Sequence, residues 1–426
     1  MTDALLPHVV IVGGGFAGLW ATRALARDDV RITLIDRRNH HLFQPLLYQV
    51  ATAGLSAPDI AAPLRHILRG QRNVEVRLGE VVGIDAGARS LTLADGDALG
   101  FDFLVLASGA THAYFGHDDW ARHAPGLKTL DDALAIRRRL LLAFERAEAA
   151  EAAEERAAWL NFAVIGGGPT GVELAGTLAE IARHTLRNEF RHIDPAEAKV
   201  RLLEAGPRVL SSFPESLSAK ARAQLQRLGV EVVTGVPVDA IDADGYSLDG
   251  QAVLARTVIW AAGVAASPLG ALLAAPRDRA GRVQVNADLS VPGHPGIFVA
   301  GDLASVQQDG RPVPGVAPAA KQMGAHVARV IRERLRSREG SAAPAPAFRY
   351  RDFGNLATIG RMAAVVHFGR LKLSGLPAWW FWLLIHVFFL IGFRNRLIVL
   401  INWAWAYWSY QRHARIILGG TDPPSD

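Results

Sequence analysis

The chain has 426 residues, a net charge of +5 at pH 7, a sequence pI near 9.7 and no cysteine. Its length suits two or three domains with sizeable cores. The lack of thiols excludes redox-active dithiols, thiolate-bound zinc and iron–sulfur centres, and the dispersed basic residues favour a membrane surface over nucleic acid as partner.

The first predicted element is a buried strand that runs into a glycine-rich turn. It begins by about His8, and residues 1–7 are too short for a signal peptide, so the catalytic domains are expected to stay where they are made. The turn reads Gly13-Gly14-Gly15-Phe16-Ala17-Gly18 and a helical pattern follows. Such a turn brings a dinucleotide pyrophosphate to the N-terminus of the helix. Asp36 ends the next apolar strand, where a carboxylate binds ribose hydroxyls.

A second unit of the same kind begins near residue 163. An apolar run leads into Gly166-Gly167-Gly168-Pro169-Thr170-Gly171, and Glu204 ends the following strand. Residues 183–198 are predicted to form an extended helix and loop that lengthen this unit. Arg201 and Arg208 favour a 2′-phosphate, whereas the Glu204 carboxylate would repel one, so the sequence favours NAD over NADP.

Three further strand ends complete the predicted α/β architecture. They are Phe103–Thr111, Val258–Gly263 and the Gly296–Asp302 strand, which ends in Gly301-Asp302. In flavoproteins with two dinucleotides, such an aspartate contacts the ribityl–phosphate region of FAD. We therefore expect an FAD-binding domain (residues 1–120 and 276–336) with an inserted NAD(H)-binding domain (121–275). A C-terminal domain (337–426) follows, and its first residues, Ser337–Phe348, read as a linker.

The C-terminal tail is rich in tryptophan, and residues 376–411 are predicted to form membrane-anchoring helices. The apolar segments Leu376–Phe393 and Leu397–Tyr410 are separated by Arg394-Asn395-Arg396, and Arg412, His413 and Arg415 follow. At about 1.5 Å per residue the first segment barely spans a bilayer. Two alternative interpretations of the tail remain, a buried helix pair or dimer interface and a transmembrane hairpin. The tryptophans and arginines favour a third, a monotopic anchor.

Four segments carry a resemblance to a known family. They are His41–Thr52, Gly171–Gly176, Val316–Gln322 and Gly392–Arg396. With the glycine motifs, they make the chain resemble the type II NADH:quinone oxidoreductases over nearly its whole length. The resemblance implies a flavoenzyme that passes two electrons from NADH through FAD to a membrane quinone without pumping protons. It also implies a homodimer attached to the cytoplasmic face of the cell membrane.

The resemblance also implies site residues. Glu173 either positions nicotinamide or relays protons, although a simple role at a helix N-terminus stays open. Gln322 is the expected quinone contact, with a capping or helix-lining role as the alternative, and Lys321 is expected to stabilise reduced flavin. Pro318 stands where the family often has glutamine, so only Gln322 carries over.

The predicted cofactor contacts form two sets, and no metal site is expected. The FAD set is Gly13, Gly15, Phe16, Ala17, Gly18, Asp36, Gln44, Val81, Ser108, Gly109, Gly301, Asp302 and Ala319. The NAD(H) set is Gly166, Gly168, Thr170, Gly171, Glu204, Ala262 and Gly263. His40 and His41 are expected to be loop residues without a catalytic role. A soluble ferredoxin- or rubredoxin-type reductase and a non-catalytic flavin redox sensor remain the alternative functions.

Overall fold

The computed structural model describes residues 6–336, 346–390, 393–409 and 414–417. Most of the predicted linker at residues 337–348 therefore lies outside the described residues, as do Tyr410, Arg412 and His413. The chain folds as two compact units. The first comprises Met1–Leu42, Ala61–Thr111 and Val264–Phe353, and the second comprises Phe43–Ile60, His112–Gly263 and Gly354–Asp426.

The helices and strands are numbered in chain order. The helices are α1 Phe16–Ala24, α2 Leu47–Ala51, α3 Ala57–Ile60, α4 Leu64–Leu68, α5 Leu130–Ala149, α6 Ala153–Trp159, α7 Pro169–Glu180, α8 Glu215–Arg227, α9 Ala317–Arg336, α10 Leu376–Phe389 and α11 Phe393–Ser409. The strands are β1 His8–Val12, β2 Arg31–Asp36, β3 His40–Leu42, β4 Ala61–Pro63, β5 Val74–Leu78, β6 Val81–Asp85, β7 Ser90–Leu93, β8 Ala98–Gly100, β9 Phe103–Leu106, β10 Ala110–His112, β11 Asn161–Ile165, β12 Lys199–Glu204, β13 Val230–Thr234, β14 Val238–Ile241, β15 Gly245–Leu248, β16 Gln251–Leu254, β17 Thr257–Trp260, β18 Val264–Ala266, β19 Val283–Gln284, β20 Ser290–Val291, β21 His294–Val299, β22 Ala304–Ser305, β23 Gln307–Gln308, β24 Arg311–Pro312, β25 Asn355–Gly360, β26 Ala363–Phe368 and β27 Leu371–Gly375.

The first unit is built on a six-stranded sheet. Its order is β20-β21-β9-β1-β2-β5, and β21, β9, β1, β2 and β5 run parallel. All five residues of β1 are buried, as expected for a parallel strand covered on both faces. Helices α1 and α9 pack so closely that a Cβ at Gly324 would overlap Ala17 O. This contact brings the first turns of α9 beside α1.

The second unit contains a four-stranded parallel sheet and two smaller three-stranded sheets, β14-β15-β16 and β25-β26-β27, which are antiparallel. The parallel sheet has the order β13-β12-β11-β17. The antiparallel sheet β25-β26-β27 lies against α7, where a Cβ at Gly176 would overlap Ile359 O. Glu180 on the same face of α7 accepts a hydrogen bond from Arg361 N. The C-terminal part of the chain is therefore packed directly on the helix that follows the second glycine turn.

The tail helices dock on residues 43–60 of the same unit. Trp403 Nε1 donates to Gln49 Oε1 at 2.7 Å, and the His386 ring meets Phe43 edge-on at 6.3 Å. Asn402 Nδ2 lies 3.4 Å from Asp59 Oδ2. Segment 43–60 interrupts the sequence of the first unit, yet it packs with the tail.

The helix boundaries in the tail differ from the sequence prediction. Helix α10 ends at Phe389 because Leu390, which is buried, has extended backbone. Helix α11 begins at Phe393, so Arg394-Asn395-Arg396 fall in its first turn and do not separate the two helices. Among the described residues, no helix has the length and apolar character needed to cross a bilayer.

Candidate dinucleotide sites

The first glycine turn joins β1 to α1, and packing inside the protein explains two of its glycines. Gly13 has a φ of 107°, and a Cβ there would lie 2.7 Å from Ala107 C. A Cβ at Gly18 would overlap Gly13 O. Gly15 differs, because a Cβ there would meet no atom within 4 Å. The open space at Gly15 is where the backbone can approach a bound pyrophosphate.

The second glycine turn, between β11 and α7, repeats this arrangement. Gly166 has a φ of 111°, and a Cβ there would lie 2.5 Å from Ala261 C and 2.6 Å from Ala262 Cα. A Cβ at Gly171 would overlap Gly166 O, whereas one at Gly168 would meet nothing within 4 Å. The two predicted turns therefore share one geometry, each with open space at the same position.

Both helices that follow these turns begin without a side-chain cap. Gly15 is the N-cap of α1 and Gly168 is the N-cap of α7, and neither helix has an acidic residue in its first turn. Phe16 and Ala17 open α1, and Thr170 follows Pro169 at the start of α7. The first N–H groups of a helix need partners, and an uncapped N-terminus offers them, with its positive dipole end, to a phosphate.

The predicted ribose-binding acids both hold their glycine turns. Asp36 Oδ2 accepts from Gly14 N at 2.6 Å and its Oδ1 accepts from Arg38 N at 2.7 Å. Glu204 Oε2 accepts from Gly167 N at 2.6 Å and its Oε1 accepts from Gly206 N at 2.7 Å. Each carboxylate therefore lies beside its turn at the carboxyl end of the second strand, the position that contacts ribose in dinucleotide-binding units.

The greater distance of Glu204 from its glycines in sequence has a local cause. Helix α7 continues into a π-helical turn, Ile181–Thr185, and a short 3₁₀ turn, Pro195–Glu197, precedes β12. Together with the longer α7 and residues 186–194, these turns account for the extra residues between the second glycine turn and Glu204 without disturbing the strand that carries Glu204.

The other residues predicted to contact FAD in the first unit lie at strand and helix ends. Ser108 Oγ is buried and has no hydrogen-bond partner among the described residues, and Gly109 follows it with a φ of 71°. Gly301 N donates to Met323 Sδ at 3.2 Å, and Asp302 follows in a 3₁₀ turn. Val81 in β6 and Ala319 in α9 are buried. A buried hydroxyl without a partner is expected where a polar ligand completes the site.

Lys321 lies on a pair of aromatic rings. Its Nζ is 4.5 Å from the Trp20 ring centroid and 5.1 Å from that of Phe16, both on α1. Burial lowers the pKa of Lys321 to about 8. The rings stabilise the charged ammonium while burial disfavours it.

His41 belongs to the same cluster, and it lies in strand β3 and not in the predicted loop. Its Nδ1 donates to Gly14 O at 2.9 Å, and its ring meets Phe16 edge-on at 5.0 Å. Burial lowers the pKa of His41 to about 4, so the ring is neutral at pH 7. Its Nε2 is buried without a partner among the described residues. The sequence spacing between the glycine turn and the His40-His41 pair does not predict that His41 contacts the turn.

Two predicted glutamines have local backbone partners. Gln322 Nε2 donates to Arg351 O and its Oε1 accepts from Arg351 N, both at 2.9 Å. Gln44 Nε2 donates to Lys128 O at 3.0 Å. Gln44 belongs to the second unit, whereas the other predicted FAD contacts belong to the first. Gln322 thus links residue 351 to α9. Neither the quinone contact nor the capping or helix-lining role predicted from the sequence included this link.

Glu173 is buried on α7 and lies in the second turn of the helix. Its Oε1 accepts from Thr358 N at 3.4 Å. Desolvation raises its pKa well above the ordinary value of 4.5, and the Thr358 contact opposes this only in part. The alternative role at the helix N-terminus places Glu173 in the first turn of α7, which is wrong because that turn has no acidic residue. The structure instead presents a carboxyl group whose protonated form is favoured by burial.

The predicted NAD(H) residues Ala262 and Gly263 lie just beyond the end of β17, beside the second glycine turn. Within the described ranges, no cluster of three or more His, Cys, Asp or Glu side chains could hold a metal ion.

Comparison with known proteins extends these observations. The model of the pyridine nucleotide-disulphide oxidoreductases matches residues 7–324. The type II NADH:quinone oxidoreductase Ndh of Mycobacterium tuberculosis is 45% identical over 420 residues, covering 95% of this chain and 89% of that protein. NdhA of the same organism, also a type II NADH:quinone oxidoreductase, is 46% identical over 409 residues, covering 93% and 86%.

A solved structure supports the fold. The structure of NDH2 from Plasmodium falciparum in complex with NADH superposes with a TM-score of 0.87 at 20% identity, covering 97% of this chain and all of that chain. The pyridine nucleotide-disulphide oxidoreductase α/β fold is therefore confirmed for this chain.

The buried Glu173 carboxyl predicts a pH-dependent effect of mutation. A raised pKa in the folded state means that folding favours the protonated acid. The contribution of Glu173 to the free energy of unfolding is therefore fully present below pH 4.5 and is lost as the pH rises through the folded-state pKa. Glu173→Gln, which cannot ionise, is therefore expected to be more stable than the wild type at pH 9 and to lose that advantage toward pH 5. Urea midpoints at both pH values measure this, and an equal difference at both would contradict it.

Proposed function

The chain belongs to the type II NADH:quinone oxidoreductases, and on that premise we propose how its residues serve electron transfer from NADH through FAD to a quinone. Membership rests on 45% identity over 95% of the chain and on the matched family model. The observation that carries the proposal is the pair of glycine turns, in separate units, each with open space at its third glycine and an acid at the next strand end.

We assign FAD to the first unit. Gly15 and the N-terminus of α1 would hold its pyrophosphate, Asp36 its adenosine ribose, and Asp302 its ribityl–phosphate region. Ser108 supplies a buried hydroxyl that has no hydrogen-bond partner within the described part of the chain. When bound, the flavin accepts a hydride from NADH and passes two electrons to the quinone. The split FAD domain of residues 1–120 and 276–336, with the NAD(H) domain of 121–275 inserted, remains our proposed division.

NADH is assigned to the second unit, with its pyrophosphate at Gly168 and its adenosine ribose at Glu204. A ribose with two free hydroxyls can donate to the carboxylate, which has lone pairs left beyond the Gly167 and Gly206 bonds. A 2′-phosphate would meet the negative charge of Glu204, so we propose a preference for NADH over NADPH.

Three side chains are proposed to support the chemistry. Glu173 holds a proton in an apolar setting and can position nicotinamide or deliver that proton toward the quinone. Lys321 supplies positive charge beside α1, which favours an anionic reduced flavin in the first unit. Gln322 is proposed to bind a quinone carbonyl, for which its amide would exchange one of the bonds to Arg351.

The tail is proposed to attach the protein to the surface of a bilayer. Leu376, Trp380, Leu384 and Phe388 are exposed at four-residue intervals on α10, while Trp379, Trp382, Leu383 and His386 are buried. A continuous apolar stripe on a helix too short to span is typical of a helix that lies in the membrane interface. We further propose attachment at the cytoplasmic face of the cell membrane and assembly as a homodimer.

The assignment is tested by the absorbance of the purified full-length protein. Flavin bands are expected that bleach when NADH is added without oxygen and return when a short-chain quinone follows. Turnover with this quinone should lie within the usual enzyme range, so a rate below about 0.1 per second would favour the redox-sensor alternative. Colourless protein that takes up no FAD would contradict the proposal.

The ribose contact is tested by Glu204→Arg. Loss of the carboxylate and gain of a cation should lower kcat/KM for NADH relative to NADPH by about tenfold or more. The ratio is measured because the substitution also removes the bonds to Gly167 and Gly206, which loosens the turn for both nucleotides. Glu151→Arg, an exposed site with the same charge change in the same unit, is the control. An unchanged ratio in Glu204→Arg would rule out the contact.

The membrane contact is tested by Leu384→Ser with Phe388→Ser, whose side chains are 64% and 67% exposed. Loss of two large apolar groups should reduce co-sedimentation with phosphatidylglycerol-containing vesicles by at least about tenfold. The control is Leu78→Ser with Val82→Ser, two exposed apolar side chains in the first unit. Equal vesicle binding by both double variants would show that α10 does not carry the attachment.

A further inference from the structure

Phe115 combines two unfavourable features. Its side chain is 69% exposed, and its backbone has a φ of 55°, in the left-handed region that bulky residues rarely adopt. Strained backbone of this kind persists only where the surrounding structure imposes it, and it concentrates at ligand-binding sites. The ring meets Trp260 on one side, with 6.2 Å between the ring centroids, yet most of its surface lies in solvent on strained backbone, so its exposure calls for a further explanation.

The loop that carries Phe115 is fixed on both sides. Trp260 Nε1 donates to Ala113 O at 2.9 Å, and Ala113 N donates to Gly263 O at 3.3 Å. The Tyr114 ring stacks on Trp260 at 5.1 Å, and its hydroxyl donates to Ala124 O at 2.8 Å. These contacts hold residues 113 and 114 against β17, so the Phe115 ring is presented to solvent by a rigid support. A rigid, exposed aromatic ring loses little conformational entropy when a ligand packs on it.

The ring lies beside the second glycine turn. A Cβ at Gly263 would come within 2.7 Å of the Phe115 ring. The residue before it, Ala262, has its Cα 2.6 Å from the Cβ position of Gly166. Phe115, Gly263, Ala262 and Gly166 thus follow one another around the carboxyl ends of β17 and β11.

The strand order decides which end of a dinucleotide reaches this position. In the order β13-β12-β11-β17, the chain reverses direction across the sheet between β11 and β17, and a dinucleotide binds across this switch point. Its adenosine ribose lies toward Glu204 at the end of β12. The nicotinamide half must then lie on the opposite side, over β17, where Phe115 is presented.

We propose that the Phe115 ring, held on the 113–116 loop, packs against the nicotinamide half of NADH and contributes to the affinity for that half. The proposal rests on the assignment of NADH to the second unit. Aromatic rings favour offset-stacked or edge-on contact with other planar rings, which gives the exposed ring a specific occupant.

Two ligands that differ only in the nicotinamide test the proposal. Binding of NAD⁺ and of ADP-ribose, which lacks the nicotinamide ring, is measured by titration calorimetry on the FAD-loaded full-length protein. Phe115→Gly is expected to weaken NAD⁺ binding by about two- to tenfold, with ADP-ribose binding unchanged. Phe115→Tyr, which keeps the ring, should restore NAD⁺ binding.

Glycine is chosen because it accepts a φ of 55° without strain, so the variant should unfold at the same temperature as the wild type or higher. Met362→Gly is the matched control. Met362 is exposed as well, at 48%, and has the same φ of 55°, but it lies in the turn between β25 and β26. It should leave both affinities unchanged.

Three results would overturn the inference. An equal loss of NAD⁺ and ADP-ribose binding in Phe115→Gly would mean that the ring supports the glycine turn and does not contact nicotinamide. Unchanged binding of both would mean that the ring makes no ligand contact. If the wild type itself binds neither nucleotide, the assignment of NADH to this unit fails and the inference fails with it, which the wild-type titration shows separately.

Discussion

Each nucleotide site depends on one short contact between a carboxylate and a glycine turn. Asp36 Oδ2 and Glu204 Oε2 each lie 2.6 Å from the second glycine N–H of their turn. The contact fixes the turn against the neighbouring strand, and it places a negative charge where ribose hydroxyls can donate to it. The N-terminus of the following helix has no side-chain cap, so its first N–H groups stay open to phosphate.

Burial acts on the ionisable side chains of the proposed sites, although Lys321, with a pKa of about 8, still carries most of its charge at pH 7. Glu173, Lys321 and His41 are all buried, and in each the shift of the pKa favours the neutral form. Desolvation is the largest cause in all three. A fixed charge beside a redox centre changes its potential, whereas a neutral group that can gain or lose a proton can follow the charge of its surroundings. Such groups suit an enzyme that moves two electrons and accompanying protons.

The sequence predicts the parts of this structure that depend on local pattern. Both glycine turns and the strands before them follow from a short apolar run with fixed spacing. Asp36 and Glu204 follow from the apolar strands that they end, although Glu204 lies further along the chain from its glycines than Asp36 does. Long-range contacts leave no such pattern. The pairing of Glu173 with Thr358 joins residues 185 positions apart, and the Gln322 contact with Arg351 depends on how α9 meets a later segment. The helix break at Leu390 is set by burial of one side chain, which hydropathy alone does not reveal.

The distribution of polarity in the tail argues for a lipid environment. Toward the protein, Trp403 and Asn402 meet the polar groups of Gln49 and Asp59. Toward the outside, α10 presents Leu384 and Phe388. Leaving such side chains in water forgoes about 1.5–3 kcal/mol each. A helix pair that makes polar contacts inward and apolar contacts outward is arranged for an apolar surrounding. Since the inward contacts fall on residues 43–60, the same docking that holds this segment also presents the stripe. The position of that segment and the proposed attachment to a membrane therefore depend on one set of interactions.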